Sequence, residues 1–280
     1  MTRRLYSVVL AALLTILTMA TGSAFALPLA SNVPGGIARV PLGTLLDYPD
    51  KPKAWLDGQS VWVAADDGHW VAVVGVPLDT PTGTKTLRVA TNRGERSVGF
   101  PVVEKRYAEQ HVRLKDSSKI TLSPDDEKRA LAEIERIQSL KKHWREVDDT
   151  DSNFIRPADG RLSSRFGLRR IFNGAPRAPH SGLDFAAPRG APVITAASGR
   201  VLAIDDYFFN GKTVFVDHGN GLLSMYCHLD RIDVQPGDTL RKGQRLGLVG
   251  ATGRASGPHL HWSVVLNGTM VDPELFLTQR

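Results

Sequence analysis

Residues 210–229 read Asn210-Gly211-Lys212-Thr213-Val214-Phe215-Val216-Asp217-His218-Gly219-Asn220-Gly221-Leu222-Leu223-Ser224-Met225-Tyr226-Cys227-His228-Leu229. The apolar run Val214-Phe215-Val216 lies between two turn dipeptides, Asn210-Gly211 and Asn220-Gly221, and is far too short for a helix. The same punctuation recurs on either side, at Pro188-Arg189-Gly190, Pro236-Gly237 and Asn267-Gly268. No segment of helical period and helical length interrupts it from about residue 152 onward. This half of the chain is expected to be all β.

Upstream, residues 33–110 also read as strands. Val61-Trp62-Val63 and His69-Trp70-Val71-Ala72-Val73 flank Asp66-Asp67-Gly68, an Asp-Gly hairpin signal. Thr86-Leu87-Arg88-Val89 turns at Asn92-Arg93-Gly94, and Val98, Phe100 and Val102 recur with a period of two. Strands this short suggest a small β-sandwich or barrel. Trp55, Trp62 and Trp70 could form a stacking platform for a glycan or simply pack in the core.

Between the two β regions a single helix is expected. Ser123 suits the N-cap, Pro124 the first position, and Asp125, Asp126 and Glu127 the positive end of the dipole. Leu131, Ile134, Ile137, Leu140 and Trp144 make one apolar stripe, with an end near Arg145. The fold class is therefore all-β: two β domains joined by one linker helix, with boundaries at 27–115, 116–150 and 151–280.

Residues 1–26 are set apart from this fold. Arg3 and Arg4 precede an apolar run from Leu5 to Ala20, and Ala24-Phe25-Ala26 gives the small-x-small pattern of a signal peptidase site. An exported chain, periplasmic or secreted, with no stable membrane anchor after cleavage is the expectation. The 280 residues carry 35 Lys plus Arg against 29 Asp plus Glu, a net +6. No basic stretch is interleaved with aromatics, which argues against a nucleic-acid partner. The single cysteine, Cys227, excludes an intrachain disulfide and any multi-cysteine metal site. Any metal must be held by histidines and carboxylates.

Five of the eight histidines, His180, His218, His228, His259 and His261, fall in the C-terminal β region. His180-Ser181-Gly182-Leu183-Asp184 is H-x-x-x-D, and His259-Leu260-His261 is H-x-H. On an extended chain i and i+2, or i and i+4, point to one side. His180 can then align with Asp184, and His259 with His261, while Leu260 faces the core. A catalytic zinc wants three N/O ligands and an open position, and two histidines with one aspartate are what this region offers. By the same alternation Tyr226 should share the face of His228, lining a groove or packing, and Cys227 should point the other way, toward the core. A cysteine nucleophile, which needs an exposed thiolate, does not fit that placement. His218, at the end of an apolar strand, suits a structural role better than a direct one.

The motifs extend well past the histidines: Ser164-Arg165-Phe166-Gly167, Pro179-His180-Ser181-Gly182-Leu183-Asp184-Phe185, Val216-Asp217-His218-Gly219-Asn220-Gly221, Tyr226-Cys227-His228-Leu229 and Ser256-Gly257-Pro258-His259-Leu260-His261. In chain order and spacing, residues 162–278 resemble the catalytic domain of the lysostaphin-type (LytM-like) zinc metalloendopeptidases, which cut peptide bridges of bacterial peptidoglycan. The resemblance implies His180, Asp184 and His261 as ligands of one zinc ion, and His228 and His259 as the catalytic histidines. It implies peptidoglycan stem peptides or cross-bridges as substrate, with groove loops at 169–178 and 205–212 setting selectivity. Some members of that family have lost their ligands and serve as wall-binding regulators, and others are held latent by their own N-terminal region. Here both motifs are intact.

Overall fold

The computed structural model describes residues 26–113 and 122–277; the expected signal segment lies outside the described residues, Ala26 excepted. The N-terminal strands are β1 (Ile37–Thr44), β2 (Lys53–Leu56), β3 (Gln59–Asp66), β4 (His69–Gly75), β5 (Gly83–Thr91) and β6 (Gly94–Val102). They form one antiparallel sheet in the order β1-β4-β3-β2-β5-β6. Arg96 of β6 reaches back to the Leu42 carbonyl of β1, so the sheet curls into a barrel-like unit. Asp66 pairs with His69 across the turn Asp67-Gly68, where both residues have positive φ, the twist a two-residue hairpin needs. Val98, Phe100 and Val102 turn inward as their period implies.

Alternation also shows what this barrel packs against. Val61 and Val63 face its interior, while Trp62 between them, with Ile37 and Val73, joins the core of the C-terminal half. Trp62 is therefore a core residue at the interface. Trp70 packs on the barrel interior, and the Arg88 guanidinium covers the Trp55 ring at 4.0 Å. The three tryptophans have three different surroundings and make no common platform.

After β7 (Glu109–Val112) comes α1 (Pro124–Lys141). The Ser123 hydroxyl accepts from Asp126 N and Pro124 occupies the first turn, as the sequence suggested. The apolar stripe differs from expectation. Ala130, Ile137 and Leu140 face the C-terminal sheet, while Leu131 and Ile134 are 57% and 43% exposed. Polar contacts set this rotation: Arg129 donates to Asp206 O, Glu133 accepts from Phe208 N, and Arg136 pairs with Asp205. The helix also stops earlier than Arg145, because the Arg145 carbonyl is taken by Asn220 N at 2.7 Å and its guanidinium by Asp217.

The C-terminal strands are β8 (Arg161–Ser164), β9 (Arg169–Phe172), β10 (Ala175–Pro176), β11 (Leu183–Ala186), β12 (Pro192–Ile194), β13 (Gly199–Tyr207), β14 (Gly211–Gly219), β15 (Leu222–Ile232), β16 (Thr239–Leu240), β17 (Arg245–Val249), β18 (Leu260–Leu266) and β19 (Thr269–Val271). The main sheet runs β16-β13-β14-β15-β18-β11-β8, with β17 also on β15 and β19 on β18. The small hairpin β9–β10 stands apart, and β7 pairs with β9 in parallel. One face of the main sheet carries a core built on Phe154, Phe185, Tyr226 and Trp262. The other face is covered by α1 at one end and left open at the other.

Candidate metal centre

Strand register places the first residues of the site. Asp184 on β11 lies opposite His261 on β18, which lies opposite Cys227 on β15. Residues directly opposed on neighbouring strands project from one face, so these three form a row on the open side of the sheet. His180 precedes β11 and is brought over the same row by the turn through Gly182. A Cβ at Gly182 would stand 2.4 Å from the Trp262 carbonyl, so only glycine lets the turn lie this close to β18. Leu260 is fully buried in the core and His259 lies on the opposite side, as the H-x-H spacing implies.

His228 reaches the site by a different route. Val214 pairs with Tyr226 but Lys212 pairs with Leu229, so β15 carries one extra residue, a β-bulge, at Cys227-His228. His228 has φ +61°, in the left-handed region that costs a non-glycine residue energy. The bulge turns the imidazole from the core side, where Tyr226 lies, to the side of His261. The expected pairing of faces is thereby corrected. Tyr226 is wholly buried, its hydroxyl accepting from Ala196 N at 2.9 Å, and takes no part in the cleft. Cys227 lies on the His261 side, beneath the site, fully buried, and burial pushes its thiol up to about 12. Such a thiol is no nucleophile.

Three donor atoms converge. His180 Nε2 is 3.0 Å from Asp184 Oδ1 and 3.0 Å from His261 Nδ1, and His261 Nδ1 is 2.9 Å from Asp184 Oδ1. Tetrahedral zinc with ligand bonds near 2.0–2.1 Å has ligand–ligand edges of about 3.3 Å, so this nearly equilateral triangle fits such an ion after a slight spreading. The other ring nitrogens are occupied: His180 Nδ1 donates to Arg165 O at 2.9 Å, and His261 Nε2 lies 2.8 Å from Ser263 Oγ. These contacts fix which nitrogen of each ring faces the centre. Burial alone would raise the Asp184 carboxyl, but hydrogen bonds from His180 and His261 outweigh it and hold the group well below the usual carboxylate range. Burial pulls the His261 imidazole down.

Two further imidazoles flank the triangle. The His228 ring centre is 4.7 Å from that of His259 and 6.1 Å from that of His261. His228 Nδ1 donates to Thr252 O and His259 Nδ1 to Gly257 O, each at 2.8 Å. A carbonyl only accepts, so the neutral rings carry their protons on Nδ1 and leave Nε2 with a lone pair. Burial, with His261 and His259 nearby, pulls His228 down to about 4, which keeps it neutral at ordinary pH. His218 lies outside this group: it is buried between Ser198 O and Ser224 Oγ, a structural residue. The four site histidines and the aspartate named from the sequence are thus brought together in one cleft of about 820 Å³.

Family profiles match both halves of the chain, Peptidase family M23 over residues 178–273 and Peptidase family M23 N-terminal domain over residues 30–105. A solved Pseudomonas aeruginosa structure assigned to peptidase M23 is 41% identical, covers 89% of this chain and 96% of its own, and superposes with a TM-score of 0.73. The chain belongs to peptidase family M23. Curated relatives match over less than half of this chain. Peptidoglycan DD-endopeptidase ShyA of Vibrio cholerae is 42% identical over 113 residues, which is 40% of this chain and 26% of ShyA. DD-carboxypeptidase/endopeptidase Mpg of Neisseria meningitidis is 38% identical over 113 residues, again 40% and 26%. The chain thus spans about a quarter of the length of these curated relatives.

Within the M23 region the sequence missed the groups that orient the histidines. Ser263 was within reach, since it follows His261 by two on a strand and must share its face. Thr252, 24 residues from His228, and Gly257, two before His259, act through backbone carbonyls and leave no side-chain signal. The loop Arg254–Pro258 lines the cleft beside the two groove loops that were expected, represented there by Arg170, Phe172, Arg177 and Phe209.

Proposed function

We propose that the chain is an exported zinc-dependent endopeptidase that hydrolyses peptide cross-links of bacterial peptidoglycan. His180, Asp184 and His261 hold one zinc ion per chain, and His228 and His259 are the catalytic histidines. The observation that carries this reading is the complete donor triangle with two additional imidazoles, each holding Nδ1 on a backbone carbonyl and turning Nε2 away from it, in one open cleft. Bound there, zinc supplies a Lewis acid that acidifies water and polarises a carbonyl. His228 and His259 each offer an Nε2 lone pair to take up a proton, and the carbonyls of Thr252 and Gly257 keep both rings in that tautomer. Once protonated, either ring presents an N–H that can pass a proton to a departing amine or stabilise a developing oxyanion.

Peptidoglycan as substrate is supported by what the ShyA and Mpg names state of those proteins, and an extracytoplasmic location by the signal-like start of the chain. Among the described residues no helix is long and apolar enough to cross a membrane. In this reading residues 151–280 carry the chemistry, and 27–115 with the linker 116–150 brace it. A metal-free regulator of other wall hydrolases would have no need of an intact triangle. The deciding experiment is a mass-spectrometric profile of purified cross-linked peptidoglycan after incubation with residues 27–280, with and without chelator. Chelator-sensitive loss of cross-linked dimers is expected, and an unchanged profile from zinc-loaded protein would overturn the reading.

A further inference from the structure

The hairpin β9–β10 carries two arginines that face each other. Phe172 pairs with Ala175 and Ile171 with Pro176, and Arg177 N donates to Arg170 O at 2.9 Å, which sets Arg170 opposite Arg177. Opposed residues, and residues two apart, share a face, so Arg170, Phe172 and Arg177 project together. All three line the cleft of the metal centre. Ile171 is turned the other way, toward a hollow it lines with His111 and Val112 of β7. The hairpin is therefore held along the edge of β9 by β7 and presents its cationic face to the site.

Like charges directly opposed on a sheet repel. Among the described residues no carboxylate offsets the repulsion. Arg170 Nη2 donates to Ser164 Oγ at 3.3 Å, and Ser164 Oγ in turn lies 3.2 Å from His180 Nδ1. Arg177 is exposed, and neither guanidinium has a carboxylate partner among the described residues. Among the described residues Asp184 is the one acidic residue that lines the cleft, against Arg170, Arg177 and Arg254, and its charge is engaged by the histidines. Two planar cations on one face of the hairpin, without a carboxylate partner among the described residues, suit an anion brought by the ligand, and guanidinium geometry matches a carboxylate.

We propose that Arg170 and Arg177 bind a free carboxylate of the peptide substrate, on a residue adjoining the scissile bond, so that the chain selects cross-links between anionic peptides over neutral bridges such as oligoglycine. The placement beside the scissile bond follows from Arg170, which stands two hydrogen bonds from the metal centre through Ser164 and His180. This inference rests on the peptidase reading of the cleft.

The test uses two synthetic cross-linked peptides, identical except for a free carboxylate or a carboxamide on the residue adjoining the scissile bond. Calorimetry measures their binding to the zinc-loaded His228→Ala chain, so that turnover does not enter. The carboxylate peptide is expected to bind about 10- to 100-fold tighter, the range for a hydrogen bond to a charged group, with a preference that shrinks as salt rises. Adding Arg177→Gln should collapse the preference and Arg177→Lys keep part of it, without loss of melting temperature, since a like-charge pair is relieved. Equal binding of the two peptides, or an undiminished preference in Arg177→Gln, would overturn the carboxylate subsite. Failure of the unsubstituted chain to cut either peptide would instead overturn the peptidase reading, whatever the binding shows.

Discussion

The two groups of histidines at the site differ in what surrounds their nitrogens, and this separates their expected mutant behaviour. His261 offers Nδ1 to the triangle, so His261→Ala should lose bound zinc and peptidoglycan cleavage together. His228 keeps only a proton-accepting Nε2 toward the cleft, so His228→Ala should retain zinc while turnover falls by about 10²- to 10⁴-fold. Metal content by elemental analysis alongside cleavage rates checks both, and near-normal rates in His228→Ala would refute its role. His218 gives a prediction about stability instead. Burial pulls its imidazole down to about 4 from an ordinary value near 6.5. The folded state therefore resists a proton that the unfolded chain accepts, so the contribution is complete above pH 6.5 and is lost as pH falls toward 4. The loss is on the order of 3 kcal/mol. Urea midpoints across that range should decline on the acid side, and His218→Asn should flatten the decline.

At the scale of elements, the bulge on β15 and the rotation of α1 show where local rules gave way. Alternation alone would have sent His228 into the core with Tyr226; one inserted residue, held by the bond from His228 N to Asn210 O at 2.8 Å, sends it to the cleft. Asn210 belongs to the turn between β13 and β14, which α1 pins through Phe208 and through Asp205 and Asp206 at the end of β13, so the helix supports the site at one remove. The apolar stripe of α1 was legible as a helix but not as a packing face, because the contacts of Arg129, Glu133 and Arg136 decide which side docks. Ile137→Ala should therefore destabilise the chain, by roughly 1–3 kcal/mol for a half-buried residue, while Leu131→Ser should stay within about 0.5 kcal/mol. Urea unfolding of the two variants distinguishes the observed face from the one the sequence suggested.

For the whole molecule, the barrel and the M23 sheet share one core through Ile37, Trp62, Val73, Leu266 and Val271. Asn267 joins them further, accepting from Gly75 N at 2.6 Å and donating to Gly75 O at 3.2 Å. A single unfolding transition is expected for both halves. A Cβ at Gly75 would come within 2.7 Å of the Leu266 carbonyl, so Gly75→Ala should wedge the halves apart at a cost of about 1–3 kcal/mol. Denaturant unfolding followed by Trp62 fluorescence should show it as a lower midpoint, and a midpoint like that of the unsubstituted chain would contradict a rigid contact. The same shared core means that a fragment starting near residue 150 would uncover apolar surface. The N-terminal half thus also braces the cleft, with β7 along the edge of the β9–β10 hairpin and α1 against the end of β13 and the turn that follows it.

By itself the sequence determined the class of each region, the barrel turns at Asp67-Gly68 and Asn92-Arg93 though not the third at Asp57-Gly58, and the start of α1, and it named the histidines and aspartate that the cleft gathers. These depend on short-range chemistry: turn dipeptides, strand period, helix caps, and donor spacing along a few residues of chain. Even the shared core left a trace, since Val71-Ala72-Val73-Val74 is apolar on both faces, as a strand covered on both sides must be. Tertiary structure alone decided the direction of His228, the docking side of α1, the carbonyls that fix the imidazole tautomers and the confrontation of Arg170 with Arg177. Each of these is set through a backbone group or a cross-strand register that carries no signature in the residues themselves, and for His228 and α1 the partner lies far along the chain.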